Sequence, residues 1–388
     1  MKIAIATGTR ADWGLLSPIA QLLKAQKDVE VAIIATNMHL DPRFGNTIDE
    51  IISDGFIPAA KVKMNVASNS EADTARSMAK CLSGMVDAFE SIKPDCIIIL
   101  GDRYEMLATA SAATVMRIPI IHIAGGEISE GAIDDCIRHA ITKLSALHLT
   151  STEEYRQRVI AMGEQPDRVI NAGAIGVYNI MQLPLMSKEE LEKSIGCKIN
   201  KRTLLVTMHP TTIDPTPSST VMGELFKALD AHDGNVIITY PNNDARGAEI
   251  ISLIDDYQKR NKDKVTVIPS LGRLRYLSAL QFAGAVAGNS SSGIVEVPSM
   301  HIPTVNIGIR QKGRLASKSV INCGNSAQEI ISAIRFALSE EGQDTARNAE
   351  NPYYKPNTLH TIVNSILSVS INDIKTKKFY DIPHTLIL

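Results

Sequence analysis

The chain has 388 residues, of which 44% are apolar and 21% are charged, and this composition is typical of a soluble globular protein. Its formal net charge is −2, with acidic and basic residues interspersed. No global field would therefore recruit nucleic acid or an anionic membrane surface, and neither partner is expected. The length suits two domains or one large α/β unit.

The first apolar run, KIAIATG, ends after a few residues, which is too early for a signal peptide or a membrane span. The five cysteines are scattered, with no CxxC pair and no histidine at the spacing of zinc ligands. We expect free, mostly buried thiols in a reducing cytoplasm, without a structural metal or a disulfide framework.

In the first half of the chain, apolar runs of strand length alternate with longer stretches at helical spacing. The strand runs are KIAIATG, VEVAIIAT, PDCIIILGD, IPIIHIAGG and ALHLTST. Those at 96–100 and 118–123 are apolar at nearly every position, which is typical of parallel strands buried on both faces. The alternation predicts a doubly wound parallel sheet with helices on both sides.

The alternation starts afresh after residue 200, with RTLLVTMHP, NVIITYPN, KVTVIPS, GAVAGNSSSG and IPTVNIG as strand runs. The predicted fold class is therefore α/β, with two Rossmann-like domains facing across a cleft. The expected boundaries are 1–175 for the N-terminal domain, 176–200 for a connector and 201–350 for the C-terminal domain. Residues 351–388 are expected to form a helix and tail, a candidate to pack across the domain junction.

In open α/β sheets, ligands lie beyond the carboxyl ends of the strands, where loops meet helix N-termini. The corresponding turns of the first domain, ATGTRAD, LGDRYE and HIAGGEISEGAIDDCIRH, are rich in charge. They supply Arg10, Asp12, Asp102, Arg103, Glu105, Glu127, Asp134, Asp135, Arg138 and His139. Crowded carboxylates raise one another's pKa, which provides an acid and a base at neutral pH. The competing interpretation is a set of helix caps and surface salt bridges, each worth under about 1 kcal/mol.

Two histidines end strands and receive opposite interpretations. His122 closes an apolar strand, where a buried, hydrogen-bonded core histidine is favoured over a catalyst. His209, in TMHPTT, is favoured as a contact to a phosphate or leaving group. Asn242 lies in the turn TYPNND, and Arg310 lies in GIRQKGR, which is either a solvated loop or a further diphosphate contact.

The stretch AGNSSSGIVEV holds three serines between two glycines, and a loop or a serine N-cap is its ordinary interpretation. In a Rossmann-like domain, however, the hydroxyls of Ser290, Ser291 and Ser292 and the N–H groups of a helix start also form an anion site. Glu296, about one and a half turns into the expected helix, could accept hydrogen bonds from vicinal hydroxyls such as those of a ribose. The pattern favours a nucleotide phosphate site.

Absent motifs narrow the chemistry further. The chain has no Walker A lysine and no GxGxxG, DxD, HExxH or GxSxG pattern, which removes common nucleotide-hydrolase, metal-dependent transferase and protease signatures. The interpretation that remains is a nucleotide bound by the second domain and a carboxylate-rich pocket on the first domain.

Taken together, these motifs resemble the hydrolysing UDP-N-acetylglucosamine 2-epimerases of sialic acid biosynthesis. The similar segments run in order from residue 7 to residue 314: TGTRADWG, MHLDPRFGNT, LGDRYE, AGGEISEGAIDDCIRHAITKLSALHLTSTEEY, HPTT, GNSSSGIVEVPS and VNIGIRQKGR. The resemblance implies two domains like those of the GT-B glycosyltransferases, and a homo-oligomer, either a dimer or a tetramer. It also implies conversion of UDP-GlcNAc and water into N-acetylmannosamine and UDP, without a metal or redox cofactor.

The implied mechanism removes the proton at C2 of the sugar while the C1–O bond to UDP breaks. Water then adds to C1 of the glycal, and a proton returns to C2 from the opposite face. Carried over to this chain, Asp102 and Glu127 match carboxylates of the acid–base steps, with Asp134 and Asp135 close behind. The other matched positions are Arg138, His139, His209 near the diphosphate, and the UDP-site residues Arg10, Ser290, Ser291, Ser292 and Glu296. Arg103, Asn242 and Arg310 are further candidates for substrate binding.

One position departs from the pattern of some relatives. They carry Glu or His two residues after the strand histidine, where this chain has Ala124. The role of that side chain would have to fall to Glu127 or to an aspartate of IDD.

Three alternatives stay open. The same reaction on UDP-2,4-diacetamido-2,4,6-trideoxyglucose, in legionaminic acid biosynthesis, would change only the contacts around C4 and C6 of the sugar. A retaining GT-B glycosyltransferase would release UDP only with an acceptor present. A non-catalytic UDP-sugar sensor is disfavoured by the carboxylates, because neutral donors would suffice for binding.

Overall fold

A computed structural model describes residues 1–42, 47–64, 70–128, 133–210, 216–241 and 247–382. The chain divides into two compact units. The first unit comprises Met1–Tyr178 and Lys355–Leu388, and the second comprises Asn179–Tyr354.

The first unit is built on a seven-stranded parallel sheet. Its strands are β1 (Lys2–Thr7), β2 (Glu30–Thr36), β3 (Ala60–Val62), β4 (Cys96–Leu100), β5 (Ile120–Ile123), β6 (Leu147–Thr150) and β7 (Val169–Asn171). Their spatial order is β3-β2-β1-β4-β5-β6-β7. Every residue of β4 and β5 is buried, which confirms the prediction of strands covered on both faces.

Helices cover both faces of this sheet. They are α1 (Arg10–Lys24), α2 (Ile48–Ser53), α3 (Glu71–Ile92), α4 (Tyr104–Val115), α5 (Ile133–Leu144) and α6 (Glu153–Ala161). The next helix, α7 (Ile175–Met181), begins in the first unit and ends in the second. Alternate residues of β1 enter different cores, because side chains along a strand point to opposite faces. Ile3 and Ile5 pack with Trp13 of α1, whereas Ala4 packs with Phe89 of α3.

The second unit repeats this plan with a six-stranded parallel sheet. Its strands are β8 (Leu204–Thr207), β9 (Val236–Thr239), β10 (Val265–Val267), β11 (Ala285–Gly288), β12 (Thr304–Ile307) and β13 (Val320–Cys323). Their order is β10-β9-β8-β11-β12-β13. The helices are α8 (Lys188–Ile195), α9 (Ser218–Asp230), α10 (Gly247–Arg260), α11 (Gly272–Phe282), α12 (Ser292–Val295), α13 (Ala327–Leu338) and α14 (Glu340–Asn348).

The tail returns to the first unit with α15 (Thr358–Ser368) and α16 (Ile371–Ile374). Ile362 and Val363 of α15 are buried in the same core as the inner face of α1. Beyond α16, Lys377 forms an ion pair with the buried carboxylate of Glu164. The tail is therefore held both by apolar packing and by a buried charge.

The strand order reverses once in each sheet, between β1 and β4 in the first unit and between β8 and β11 in the second. At such a reversal the following helices leave toward opposite faces, which opens a crevice beyond the carboxyl ends of the two strands. These two crevices are where ligands of doubly wound proteins lie. The described helices include none with the length and apolar content needed to cross a bilayer.

All five cysteines are free thiols. Cys81 and Cys96 are buried, but Cys136 is exposed and Cys197 and Cys323 are partly exposed. The expectation of mostly buried thiols therefore holds fully for only two of the five: Cys136 is exposed on α5, and Cys197 and Cys323 pack at the edges of the second unit's cores.

Candidate active site

Two turns flank the reversal in the first unit. The turn after β1 leads into α1, where the hydroxyl of Thr9 caps the helix by accepting a hydrogen bond from the N–H of Asp12 at 3.2 Å. The turn after β4 contains Asp102 and Arg103 and leads into α4, whose second residue is Glu105. Because β1 and β4 are neighbours in the sheet, the two turns bring their charged side chains together.

Glu105 is the buried centre of this arrangement. Its side chain is fully buried, and its Oε1 accepts hydrogen bonds from Nε of Arg103 and Nδ2 of Asn37, each at 2.6 Å. Gly8 lies so close that a Cβ at this position would overlap Oε1 of Glu105, so a larger residue there would displace that carboxylate. The sequence placed Glu105 in the LGDRYE turn but gave it no role.

Several buried oxygens in this cluster have no hydrogen-bond partner within the described ranges. They are Oδ2 of Asp12, Oδ1 of Asn37 and Oε2 of Glu105. All three are acceptors, so the cluster offers sites to hydrogen-bond donors such as hydroxyl or amide groups.

The charges around Arg103 shift the pKa of neighbouring carboxyls. Burial raises the pKa of Asp12 above its ordinary value, and the charge of Glu105 acts in the same direction, while Arg103 partly offsets both. The pKa of Asp134 is also raised, by loss of solvation and by Glu105, against the opposing charge of Arg103. Asp134 is largely exposed, so water weakens these effects there. Asp12 is accordingly the carboxyl best suited to retain a proton.

A second charged group surrounds Arg138 of α5, whose side chain is buried. The guanidinium forms an ion pair with Asp102, and its Nη1 donates a hydrogen bond to the carbonyl of Glu127 at 2.8 Å. It lies 3.8 Å from Asp135, and Asp135 in turn lies 3.6 Å from His139. Arg138 thus ties the turns after β4 and β5 to the first turns of α5.

This arrangement corrects the interpretation of the IDDCIRH stretch as surface salt bridges. Arg138 is buried, and its charged partners include Asp102, from the turn after β4, and Asp135. The pairing of Asp135 with His139 agrees with the helical spacing. Burial lowers the pKa of His139, although Asp135 opposes that effect.

Glu127 follows the two glycines after β5. Its Oε1 accepts a hydrogen bond from the hydroxyl of Ser151 at 2.8 Å. Ala124, at the position where some relatives carry Glu or His, has a left-handed backbone with φ of 64°. Among the described residues of this turn, Glu127 supplies a carboxylate.

His122 is a core histidine, as predicted. It is fully buried, with Nε2 2.8 Å from the carbonyl of Gly101 and Nδ1 3.2 Å from the hydroxyl of Thr142. Burial lowers its pKa to about 3, so the ring is neutral at physiological pH and has no acid–base role there.

In the second unit, Asn289 links the turns after β8 and β11. Its Oδ1 accepts a hydrogen bond from the N–H of His209 at 2.7 Å, and its Nδ2 donates to the carbonyl of His209 at 2.9 Å. The preceding Gly288 has φ of 139°, and a Cβ there would overlap the carbonyl of Thr207. The close approach of the two turns therefore depends on glycine followed by asparagine.

Arg310 supports the same turn from outside. Its Nη1 donates to the carbonyl of Asn289 at 3.0 Å, and Nε2 of Gln311 donates to the same oxygen at 2.9 Å. The GIRQKGR stretch is therefore not a detached solvated loop. Two of its side chains donate hydrogen bonds to the backbone of the serine turn, so contact with a ligand would not be its sole role.

The serines occupy the start of α12, which has only four residues. Ser291 is exposed, and the hydroxyl of Ser290 accepts a hydrogen bond from the N–H of Ser292 at 3.4 Å. The hydroxyl of Ser292 lies 2.6 Å from Oε2 of Glu296. The expectation that Glu296 lies inside a longer helix is wrong: it caps α12 at its C-terminal end.

A small concave pocket opens beside this turn in the second unit. Its lining includes His209, Asn289, Ser218, Gly308 and Asn325. The pocket therefore lies beyond the carboxyl ends of β8, β11 and β12, where a ligand of a doubly wound sheet is expected.

Two candidates remain apart from these clusters. Arg10 is exposed, and its Nε forms an ion pair with Glu50 at 2.9 Å. Asn242 lies outside the described residues. Within the described ranges, no group of three or more histidine, cysteine, aspartate or glutamate side chains is arranged to hold a metal ion.

Two doubly wound units with charged and hydroxyl side chains at their strand-order reversals define a doubly wound α/β protein. A model of the UDP-N-acetylglucosamine 2-epimerase family matches residues 21–367. The chain belongs to this family, and the predicted α/β fold with two Rossmann-like domains is confirmed.

The chain is also similar to individual members. It is 37% identical to the GDP/UDP-N,N′-diacetylbacillosamine 2-epimerase (hydrolyzing) of Campylobacter jejuni, over 98% of this chain and 99% of that protein. It is 36% identical to the polysialic acid biosynthesis protein P7 of Escherichia coli, over 98% of each chain. Its fold matches the Methanocaldococcus jannaschii UDP-GlcNAc 2-epimerase in complex with UDP-GlcNAc and UDP, with a TM-score of 0.76 at 20% identity over 95% of this chain and 99% of the other.

Proposed function

We propose that the chain is a hydrolysing 2-epimerase that converts a UDP-linked 2-acetamido sugar and water into the free 2-epimeric sugar and UDP. A carboxylate removes the proton at C2, and the C1–O bond to UDP breaks, which leaves a glycal. Water then adds to C1 while a proton returns to C2 from the opposite face. UDP leaves with the electron pair of the broken C1–O bond.

The observation that carries this proposal is the concentration of carboxylates at the carboxyl ends of β1, β4 and β5. Within the described residues they include Asp12, Asp102, Glu105, Glu127, Asp134 and Asp135. Binding alone would be served by neutral donors, whereas proton removal and return require a base and an acid near neutral pH. The raised pKa of Asp12 favours a protonated carboxyl, whereas the ion pair with Arg138 favours a charged carboxylate at Asp102. The two groups thus differ as an acid and a base must.

In the second unit, we assign the UDP moiety to the turn after β11. The hydroxyls of Ser290 and Ser291, the His209 turn and Glu296 are the groups offered to the diphosphate and ribose. Stabilising the departing diphosphate lowers the barrier to C1–O cleavage, because negative charge develops there in the transition state.

We propose UDP-N,N′-diacetylbacillosamine as the preferred substrate. This sugar is 2,4-diacetamido-2,4,6-trideoxyglucose, and the relative from Campylobacter jejuni is named for it. UDP-GlcNAc is the second candidate, because the description of the family names it. The similarity to a polysialic acid biosynthesis protein supports a role in supplying a 2-epimeric amino sugar to nonulosonic acid synthesis.

The test is incubation of the purified chain with each UDP-sugar, without an acceptor or an added metal, followed by chromatography of UDP and the free sugar. Release of UDP with the free 2-epimer is expected, with a higher kcat/KM for the diacetamido substrate. Asp102→Asn and Glu127→Gln should abolish turnover, whereas Glu153→Gln, on the surface of α6, serves as the matched control. UDP release only on addition of a sugar acceptor would instead indicate a transferase, and binding without turnover would indicate a sensor.

A further inference from the structure

Helix α5 carries part of the proposed site in its first two turns. Arg138 pairs with Asp102 of the turn after β4, and Asp135 lies beside both Arg138 and His139. A helix moves as a unit, so the position of α5 along its axis sets the geometry in which these charged groups meet. Whatever holds the other end of α5 therefore acts on the site.

The C-terminal tail holds that other end. Nζ of Lys377 donates hydrogen bonds to the carbonyl of Lys143 at 2.5 Å and to the carbonyl of Ser145 at 2.8 Å. The last carbonyls of a helix have no partner within the helix, and they carry partial negative charge. The ammonium group of Lys377 therefore caps α5, although it lies 234 residues further along the chain than Lys143.

Further contacts fix the tail beside this cap. The same ammonium group lies 2.7 Å from Oε2 of the buried Glu164, and Nζ of Lys143 donates to Oε1 of that carboxylate at 2.6 Å. One buried carboxylate thus joins the tail to the last turn of α5. The N–H of Tyr380 also donates to the carbonyl of Gly163 at 2.9 Å. The cap is therefore held in place on both sides along the chain.

The last turn of α5 is tied to the turn that carries Asp102. The hydroxyl of Thr142 lies 3.2 Å from Nδ1 of His122, whose Nε2 lies 2.8 Å from the carbonyl of Gly101. Because a carbonyl only accepts, Nε2 donates to it and Nδ1 accepts from Thr142. Gly101 directly precedes Asp102. A shift of the last turn therefore reaches the backbone of Asp102 and also Arg138, one helical turn before Thr142.

We infer that Lys377 is a positioning residue for proton transfer at C2 of the sugar, acting through α5 on the pair formed by Asp102 and Arg138. A misplacement of about 1 Å in a catalytic constellation can cost on the order of 100-fold in rate. The inference rests on the proposed function, because it takes proton transfer at C2 as the reaction. It gives the tail a part in turnover in addition to its part in stability.

The test uses the full-length variant Lys377→Met, which keeps the aliphatic stem and loses the ammonium group. Its kcat for UDP release should fall roughly 10- to 100-fold. Its affinity for UDP, measured by titration calorimetry, should stay within about twofold, because UDP is assigned to the second unit. Lys377→Arg keeps a charged donor and should recover a large part of the lost kcat.

A substrate with deuterium at C2 separates positioning from stability. If proton removal becomes slower relative to the other steps, the isotope effect on kcat should be larger in Lys377→Met than in wild type. A loss of folded protein lowers the number of active molecules instead, and leaves the isotope effect unchanged.

Two control variants match this design. Lys378→Met removes the charge of the next residue, which is exposed and takes no part in the contacts described above. Ile366→Val removes one methylene from the buried face of α15, in a different core from Ile137 and Ile141 of α5. Both variants should keep kcat and the isotope effect close to the wild-type values.

Several results would overturn the inference and leave the proposed function intact. Wild-type kcat in Lys377→Met is one, and a fall in kcat with an unchanged isotope effect is another. An equal fall in Ile366→Val would reduce the role of Lys377 to general stability. Failure of the wild-type chain to release UDP would instead contradict the proposed function, and it is distinguishable because it needs no variant.

Discussion

The buried Glu105 carboxylate holds the Arg103 guanidinium, with Oε1 of Glu105 2.6 Å from Nε of Arg103. The same oxygen accepts the amide of Asn37, so one atom joins the turns after β2 and β4. This hydrogen bond sets the orientation of the Arg103 guanidinium at the β1–β4 reversal.

Glu105→Ala should lower kcat/KM by roughly 30- to 150-fold, because it leaves Arg103 and Asn37 without their shared acceptor at a cost of about 2–3 kcal/mol. Glu105→Gln should lose less, since its carbonyl oxygen still accepts both donors. Steady-state kinetics of UDP release, with Glu153→Gln as the control, checks this. Wild-type kcat/KM in Glu105→Ala would show that Arg103 needs no such support.

The raised pKa of Asp12 predicts a specific pH dependence of stability. A carboxyl whose folded pKa lies above its unfolded value of 3.8 makes the native state bind protons more tightly. The free energy of unfolding therefore falls as the pH rises from that value through the folded pKa. Asp12→Asn removes this loss, so its Tm relative to wild type should be higher at pH 7 than at pH 4. A difference in Tm that stays constant between these pH values would contradict the assignment.

Asn289 is expected to control nucleotide affinity through the backbone. Asn289→Ala removes both hydrogen bonds to His209 and should weaken UDP binding about 10-fold, on the usual scale of 1–3 kcal/mol for an unpaired buried group. Asn289→Asp keeps the acceptor for the N–H of His209 but loses the donor to its carbonyl, so an intermediate affinity is expected. Titration calorimetry measures this, and Tm of each variant reports whether the fold is intact. Unchanged affinity in Asn289→Ala would separate the His209 turn from the nucleotide site.

Glu164 should anchor the C-terminal tail. Its carboxylate contacts His148, Lys143 and Lys377 of the tail. These hydrogen bonds outweigh burial and lower its pKa from 4.5 to about 2. Such a group contributes up to roughly 3 kcal/mol above its unfolded pKa.

That contribution is lost as the pH falls from 4.5 through about 2. Glu164→Gln should therefore lower the stability to urea most strongly near pH 7, and should expose the tail to limited proteolysis first. Equal destabilisation at pH 7 and near pH 3 would contradict a role for its charge.

Much of the architecture followed from the sequence. Continuous apolar runs such as β4 identify strands buried on both faces, and their alternation with helical stretches predicts two doubly wound sheets. The core role of His122 also followed, since it ends such a strand. The order of strands within each sheet was not encoded in any local pattern, so the meeting of the β1 and β4 turns had to come from the structure.

The sequence predicted which residues form the site but not which of them pair with each other. The LGDRYE turn makes Asp102 and Glu105 look equivalent, yet the start of α4 directs Glu105 inward and leaves Asp102 to Arg138. Glu296 was misplaced for a local reason: Pro298 cannot continue an α-helix, and α12 passes into a 3₁₀ turn at Val297–Met300. In the sequence, Asp12 looks like any aspartate in the first turn of a helix. Its burial, which only the structure shows, distinguishes it from such residues.

The most direct test of the central claim is the NMR spectrum of the products formed in D2O from UDP-N,N′-diacetylbacillosamine and from UDP-GlcNAc. The account predicts UDP together with a free 2-epimeric sugar that carries deuterium at C2, because the proton at that carbon exchanges during elimination and return. Release of the free sugar with unchanged configuration and hydrogen at C2 would show simple hydrolysis, and would contradict proton removal by the carboxylates of the first unit.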